Sequence, residues 1–433
     1  MTHRYSLQHA FHTLDQLLTR NQHYWQFRPF YHRQLPWPDS EKPAQSLNQA
    51  LEQLSDDRLK NLQENPEQLA QWLSQWIPEA LQLSQLSTEL LSRADSRNSL
   101  PDQPQVDQSE LKRFAQGIPG RKWRQMLDFS RQLHPAGASS TTRFLEWCAG
   151  KGHLGRLLAY QTQQQQTPYQ VTSLEWQQIL CEKGEQEAAK WQLNQCFINA
   201  DALSDEAAQF ITPETRTVAL HACGDLHCQL IHHARQKQAH SLYIAPCCYH
   251  LIRAEHYQPM SQTGKQSTLT LSKQDLKIPL QETVTGGQRI GQLRDTELLW
   301  RMAFDTLLKD QLQQSDYQPL PTIPKYLLTG AFEDFVHWAV HNRDLQHAVD
   351  NSISAQHIRS YLQQGQQRVH MIRRMELVQH LFRRPLELWL VLDRALALEE
   401  VGFHVELTEF CDKKLTPRNI MIKARHQRTF NTC

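Results

Sequence analysis

The sequence predicts an α/β fold: a mostly parallel sheet covered by helices, with a helical region before it and a long insertion within it. Three observations lead there. From about residue 141, short apolar runs alternate with helical segments, which is the sign of a parallel sheet with helices on its faces. Before about residue 93, apolar residues recur only at helical spacing, as in "LAQWLSQWIPEALQLSQLSTELLSRA". Between Leu251 and Arg384 the alternation stops, and it then resumes.

Residues 1–110 are expected to form a helical N-terminal domain. Within it, "HYWQFRPFYHRQLPWPD" is dense in aromatic, Arg and His side chains, which suits either a stacking surface for nucleic acid or packing onto a neighbouring domain. "ADSRNSLPDQPQVDQSE" marks a linker near 94–110. The first part of the α/β core spans 111–250, with strands in "RFLEW", "QVTSLEW", "QCFINAD", "TVALHAC" and "SLYIAPCCYH" and helices over 153–162, 177–193 and 225–238. The insertion, 251–384, is expected to be mostly helical with a short β segment in "STLTLSKQDLKIPLQETV". The core is completed over 385–433 by the helix "RPLELWLVLDRALALEEVGF" and by "HVELTEF" and "RNIMIKARH", which a turn at Pro417 joins into an antiparallel hairpin at the sheet edge.

The chain has 433 residues, room for roughly two to three domains. Lys plus Arg (46) nearly balance Asp plus Glu (45), so overall charge points to neither nucleic acid nor an anionic membrane, and only local patches remain to be weighed. Nine cysteines, two of them adjacent at Cys247 and Cys248, do not form a secreted disulfide framework and place the chain in the cytoplasm with free thiols. No apolar run approaches the roughly 18 residues that cross a bilayer, and the first residues lack the apolar centre of a signal peptide, so no membrane contact is expected.

The stretch "FLEWCAGKGHLGRLLAY" holds a G-x-G-x-x-G at Gly150, Gly152 and Gly155. A dinucleotide fingerprint runs from an apolar strand directly into its first glycine, with no carboxylate at the position of Glu146. A phosphate loop needs Ser or Thr after Gly-Lys, where this chain has Gly152 and His153. S-adenosylmethionine fits better. Glu146 can face its cationic amino-acid end, and small residues at Gly150 and Gly152 admit the ligand close to the backbone. Glu175 ends the next strand, where it can accept hydrogen bonds from both ribose hydroxyls, and Trp176 can cover the adenine face. Asp201 ends the strand after that and can accept from the adenine amino group. With Cys148, His153 and Ala202 these residues make up the candidate cofactor-binding set, while Gly155 is read as serving helix packing.

These residues resemble motif I of class I S-adenosylmethionine-dependent methyltransferases, an acid, one residue, then Gly-x-Gly-x-Gly, with Cys148 in place of the first glycine. "GKGHL", "LHACGDL", "CCYHL", "YQPMS", "LDRALALEEVGF" and "PRN" together resemble a methyltransferase-like family that includes the ribosomal RNA adenine dimethylase domain-containing and glutathione S-transferase C-terminal domain-containing proteins. The "CGD…CCYH" pair is also similar to the tRNA ribose 2′-O-methyltransferase that modifies the acceptor stem. The resemblance covers roughly 120–433 and implies a Rossmann-like class I sheet, S-adenosyl-L-methionine as cofactor, and transferase activity on RNA, either tRNA or rRNA. A protein or small-molecule acceptor, or a non-catalytic cofactor-bound RNA-binding scaffold, are the alternatives.

"LHACGD" and "APCCYH" should emerge at the carboxyl ends of their strands, beside the methyl donor. This gathers His221, Cys223, Asp225, Cys247, Cys248, Tyr249 and His250 at one mouth. Three readings compete there. His221, Asp225 or His250 acts as a general base or orients the acceptor. Alternatively Cys247 or Cys248 attacks a pyrimidine ring. Lastly, Cys and His residues bind zinc; C-C-x-H is not a usual zinc spacing, so the spacing itself predicts no metal, although Cys223, Cys247, Cys248 and His250 could converge in space. Buried packing is the ordinary alternative for each cysteine. Arg121, Lys122 and Arg124, together with C-terminal basic residues such as Arg373, Arg374, Arg383, Arg384 and Arg418, are the candidate RNA contacts.

Overall fold

A computed structural model describes residues 6–37, 46–93, 112–133, 142–166, 168–281, 288–313, 316–349 and 354–427. The linker read near 94–110 lies outside the described residues. Eight strands form one sheet: β1 (Ser92–Arg93), β2 (Thr142–Trp147), β3 (Tyr169–Glu175), β4 (Gln195–Asn199), β5 (Thr215–Cys223), β6 (Ser241–Cys247), β7 (Phe403–Glu409) and β8 (Ile420–His426), in the order β1-β7-β8-β6-β5-β2-β3-β4. Neighbours from β6 through β4 pair in parallel, and β8 alone runs antiparallel to both of its neighbours. This is the α/β sheet that the alternation predicts.

The expected hairpin is present, but its second strand lies inside the sheet, between β6 and β7, and β1 pairs outside β7. The burial of the strands explains the order. Every residue of β6 is buried, so it needs cover on both sides, and β8 supplies the more continuous apolar run with Ile420, Met421, Ile422 and Ala424. β7 alternates buried with exposed positions and suits the outer place.

The strand order reverses between β2 and β5. Their carboxyl ends therefore open a crevice, the place where sheets of this kind bind ligands. Beneath it, Leu157, Leu158 and Tyr160 of the helix His153–Gln164 pack with Phe144, Val171, Phe114 and Phe129 in one apolar cluster.

The chain divides into two compact units, one of Met1–Thr19, Gln85–Gln281 and Arg383–Cys433, the other of Arg20–Ser84 and Glu282–Phe382. Helices from the N-terminal stretch and from the insertion thus share the second unit. Buried polar side chains of the insertion satisfy backbone carbonyls of the N-terminal stretch. Arg374 donates to the carbonyls of Leu51 and Leu54, Gln379 to those of Trp25 (2.8 Å) and Phe27 (2.9 Å), and Arg368 to that of Phe30 (2.8 Å) and to Asp305 (3.3 Å). The aromatic stretch is packed accordingly, with Trp25 and Trp37 buried.

In the first unit the segment read as β-like makes only an isolated bridge, His256 with Ser272, among the described residues. The "YQPMS" segment before it is held by the long helix Ala355–Glu399. Buried Asp393 accepts from the Tyr257 hydroxyl (2.5 Å), the Ser261 hydroxyl (2.6 Å) and the N–H groups of Met260 (2.8 Å) and Ser261 (3.0 Å). That helix begins well before the predicted start at Arg384 and runs through Pro385. A proline inside a helix costs about 3 kcal/mol, but Phe382, Leu386, Leu388 and Trp389 around it are buried, and that packing offsets the lost hydrogen bond.

Replacing Asp393 by Ala leaves these donors without an acceptor in a dry interior. We expect a loss of about 3–5 kcal/mol, read as a lowered urea midpoint; an unchanged midpoint would show that the network contributes nothing.

Candidate active site

The loop after β2 is built around one buried carboxylate. Glu146 is 5% exposed, and its Oε2 accepts from the Ser173 hydroxyl at 2.9 Å. The carboxylate also accepts from the N–H groups of Leu154 and Gly155. These belong to the first turn of the helix His153–Gln164, where backbone donors have no partner within the helix. Gln195 braces the other side, donating to the Ser173 hydroxyl (2.9 Å) and the Gly152 carbonyl (3.0 Å). Close packing sets the glycines. A Cβ on Gly155 would lie 2.5 Å from Glu146 Oε2, and one on Gly152 2.3 Å from the Phe197 ring. Gly155 therefore serves the contact between helix and strand. Gly150 alone has open space where a side chain would be.

Cys148 stands where the class I motif has its first glycine, and it adopts φ 55°. The left-handed backbone costs a non-glycine residue roughly 1–2 kcal/mol, so the turn keeps its shape at the expense of strain. Burial pushes the Cys148 thiol up to about 12, reinforced by Glu175, Cys223, Asp201 and Glu146. The acids at or just after three successive strand ends thus converge on this turn. Glu175 Oε2 accepts from the Gly150 N–H (2.8 Å) and its Oε1 from the Gln177 N–H (3.0 Å), while Asp201 accepts from the Leu203 N–H (2.9 Å). Trp176 is 67% exposed and Ala202 is buried. The His153 ring is held neutral, pulled down to about 4 by burial and by Lys122 and Arg156.

A cavity of about 460 Å³ opens beside the loop, lined by Arg121, Lys122, Gln125 and Met126 of the helix Gly120–Ser130, by Glu146 through Gly150, and by Leu220 and His221 at the end of β5. His221 Nε2 lies 2.8 Å from Gln125 Oε1. The Gln125 amide is oriented by its own N–H₂ group, which donates to the Leu415 carbonyl at 2.9 Å. Its oxygen therefore faces the ring, His221 Nε2 carries the proton, and Nδ1 keeps the lone pair. Burial, with Arg418 and Lys122 nearby, pulls this imidazole down to about 4, so it is neutral near pH 7.

The other predicted residues have different surroundings. Asp225 accepts from the Arg253 N–H at 2.7 Å. Tyr249 is fully buried, donates to Glu387 and lies beneath the Arg394 guanidinium. His250 is half-buried, and its Nδ1 has no hydrogen-bond partner. Cys223, Cys247 and Cys248 bring their sulfurs within 4.8 Å of one another. Hydrogen bonds from Cys247 and Cys248 lower the Cys223 thiol to about 6, and the hydrogen bond to Cys223, with burial and the Cys223 charge, holds Cys247 well above the usual range.

Of the basic residues, Arg121 and Lys122 line the cavity. Arg124 is exposed on the same helix, and it is not among the lining residues. Arg374 and Arg383 are buried, Arg384 pairs with Glu387 and Glu409, and Arg373 pairs with Asp295. Sequence reasoning did not single out Gln125, Ser173 or Gln195. Only Ser173, a hydroxyl inside an apolar strand, left a signal.

Gly155→Ala forces a methyl group against the Glu146 carboxylate and is expected to weaken binding of S-adenosylmethionine by about tenfold or more in calorimetry; full affinity would remove the loop from the site. Glu146 also makes stability depend on pH. Burial raises its carboxyl from 4.5 to about 7, so the folded chain holds a proton that the unfolded chain has lost. Its contribution is full below about pH 4.5 and falls until about pH 7, by about 3 kcal/mol. Urea unfolding across that range should show the wild-type chain losing this increment relative to Glu146→Gln; parallel curves would contradict the raised value.

Residues 121–255 match the family model described as a methyltransferase domain. No curated protein matches the chain. Among solved structures, it is similar to a TehB-like SAM-dependent methyltransferase from Corynebacterium glutamicum (16% identity, 31% of this chain and 66% of that one, TM-score 0.22) and to the DszA carbon methyltransferase (13%, 44% and 50%, 0.23). The citrinin polyketide synthase CMeT domain is a third (14%, 55% and 60%, 0.25). The match spans between half and two thirds of those chains, and likenesses this partial leave the assignment to the family model and the loop. A motif I-like turn at the switch point of this sheet lies inside the stretch that matches the methyltransferase-domain model, and its residues fit S-adenosylmethionine as a methyl donor.

Proposed function

We propose that the protein methylates RNA, transferring the group to a ribose hydroxyl of a tRNA or rRNA. The observation that carries this reading is His221, a neutral imidazole fixed by Gln125 on the wall of a cavity shared with the donor loop and with Lys122. A hydroxyl gives up its proton as it attacks, and the neutral ring offers a free Nδ1 lone pair to orient and receive it. Burial makes that ring a weak base and leaves orientation the larger part. Lys122 and Arg121 on the same wall suit a phosphate next to the reacting ribose.

The residues fit the donor. Gly150 leaves open space where a side chain would stand, Glu175 and Asp201 offer acceptors to the ribose and adenine ends, and exposed Trp176 is available to the adenine face. When bound, S-adenosylmethionine supplies an electrophilic methyl carbon on a sulfonium. His221 Nδ1 takes the acceptor's proton, and Gln125 holds the ring while the charge on it develops. Arg121 and Lys122 orient the acceptor, and orientation supplies much of the acceleration.

The test uses labelled donor with total RNA and total protein from cells lacking the gene. Label is expected in RNA, at an alkali-resistant ribose position; label only in protein or in small molecules would overturn the reading. His221→Ala should lower kcat by roughly a hundredfold or more with donor affinity unchanged, whereas Lys122→Ala should raise the RNA KM and reduce its salt dependence by about one ion.

A further inference from the structure

We propose that Cys223, Cys247 and Cys248 form a thiolate site for a zinc-type divalent cation, with one coordination position left for an outside ligand. Their three sulfurs all lie within 4.8 Å of one another, and those of Cys223 and Cys247 are 3.4 Å apart. Zinc bound by thiolates at about 2.3 Å in a tetrahedron holds its sulfurs about 3.8 Å apart. Small side-chain rotations therefore bring this group to metal-binding spacing. Among the described residues it is the one group of three Cys, His, Asp or Glu side chains placed to hold an ion.

The backbone bends to make this arrangement. Cys223 and Cys247 are registered neighbours on β5 and β6, so their side chains share a face of the sheet. Cys248 directly follows Cys247 and in an extended chain would point to the opposite face. Its φ of 45° turns it back toward the other two. On β5 the register shifts between Leu220 and Cys223, with His221 at φ 61°. Left-handed backbone at non-glycine residues is strained and gathers at functional sites. A disulfide would need only Cys223 and Cys247 and gives no reason for the turn at Cys248.

The chemistry of the donors agrees. Three soft sulfur ligands select zinc or cadmium over magnesium or calcium. Binding forms three metal–sulfur bonds and releases to solvent the S–H protons that the thiols still carry, leaving a complex of charge −1. Arg418, which acts electrostatically on Cys223 and Cys248, offsets that charge. With three protein ligands the fourth position is open to water or to a donor atom of a bound molecule, as in catalytic rather than structural zinc sites. The inference does not depend on RNA being the acceptor.

The full-length, reduced protein is titrated with Co²⁺ and then with Zn²⁺. One equivalent of Co²⁺ should give thiolate-to-cobalt charge-transfer absorption, displaced by Zn²⁺, with protons released to solvent on binding. These readouts need no variant. Cys248→Ser should weaken Co²⁺ binding by roughly tenfold to a hundredfold with an unchanged far-ultraviolet circular dichroism spectrum, and Cys196→Ser, at an exposed position on β4, should leave it unchanged. Absence of the charge-transfer band, binding unaffected by Cys248→Ser, or a Cys223–Cys247 disulfide that persists under reducing conditions would each overturn the proposal. A failed RNA-labelling experiment would leave it standing.

Discussion

The site depends on a carboxylate placed where a carboxylate is costly. Glu146 ends a central strand with 5% of its surface exposed and takes the first free N–H groups of the helix that follows. Burial opposes its charge, and the helix N-terminus, Ser173 and Lys122 restore part of what burial removes. The contact fixes the distance between β2 and its helix, hence the path of residues 147–152. Gly155 and Gly152 are needed because Glu146 and Phe197 come so close, and Gln195 and Ser173 keep that spacing from collapsing.

A second buried network explains why polar residues recur in a long apolar helix. Arg394 donates to His227 (2.8 Å) and to the Tyr257 hydroxyl (3.1 Å), and its guanidinium lies over the Tyr249 and Tyr257 rings. Next to it, Asp393 gathers the "YQPMS" segment. Buried ion and hydrogen-bond sets of this kind need every member satisfied. Tyr249 and the first turn of the helix Asp225–Lys237 thus take their positions from residues far along the chain. Several short motifs that looked independent in sequence meet in this network.

Much of the fold was legible because it rests on local pattern. The strands of the α/β core announce themselves as short apolar runs, and "EWCAGKG" announces a ligand turn by small residues after an acid. Three features were not legible, each for a physical reason. β8 enters the sheet interior because fully buried β6 needs a second partner, which is a tertiary demand. Pro385 reads as a helix boundary, and packing overrides it. Gln125 lies far in sequence from His221, and nothing local marks a glutamine as the residue that sets an imidazole's tautomer. The approach of Cys223, Cys247 and Cys248, by contrast, was one the strand ends suggested; it comes about without His250 and through two left-handed residues, His221 and Cys248.

The residue that breaks the glycine pattern has one more consequence. Cys148 places a sulfur atom in the turn that faces an alkylating ligand, and a thiolate there would be a target for the donor's own methyl group. Burial and the surrounding acids keep that thiol protonated far above neutral pH, and a protonated thiol is a poor nucleophile. The same carboxylates that shape the pocket protect its wall from being methylated in place of the substrate.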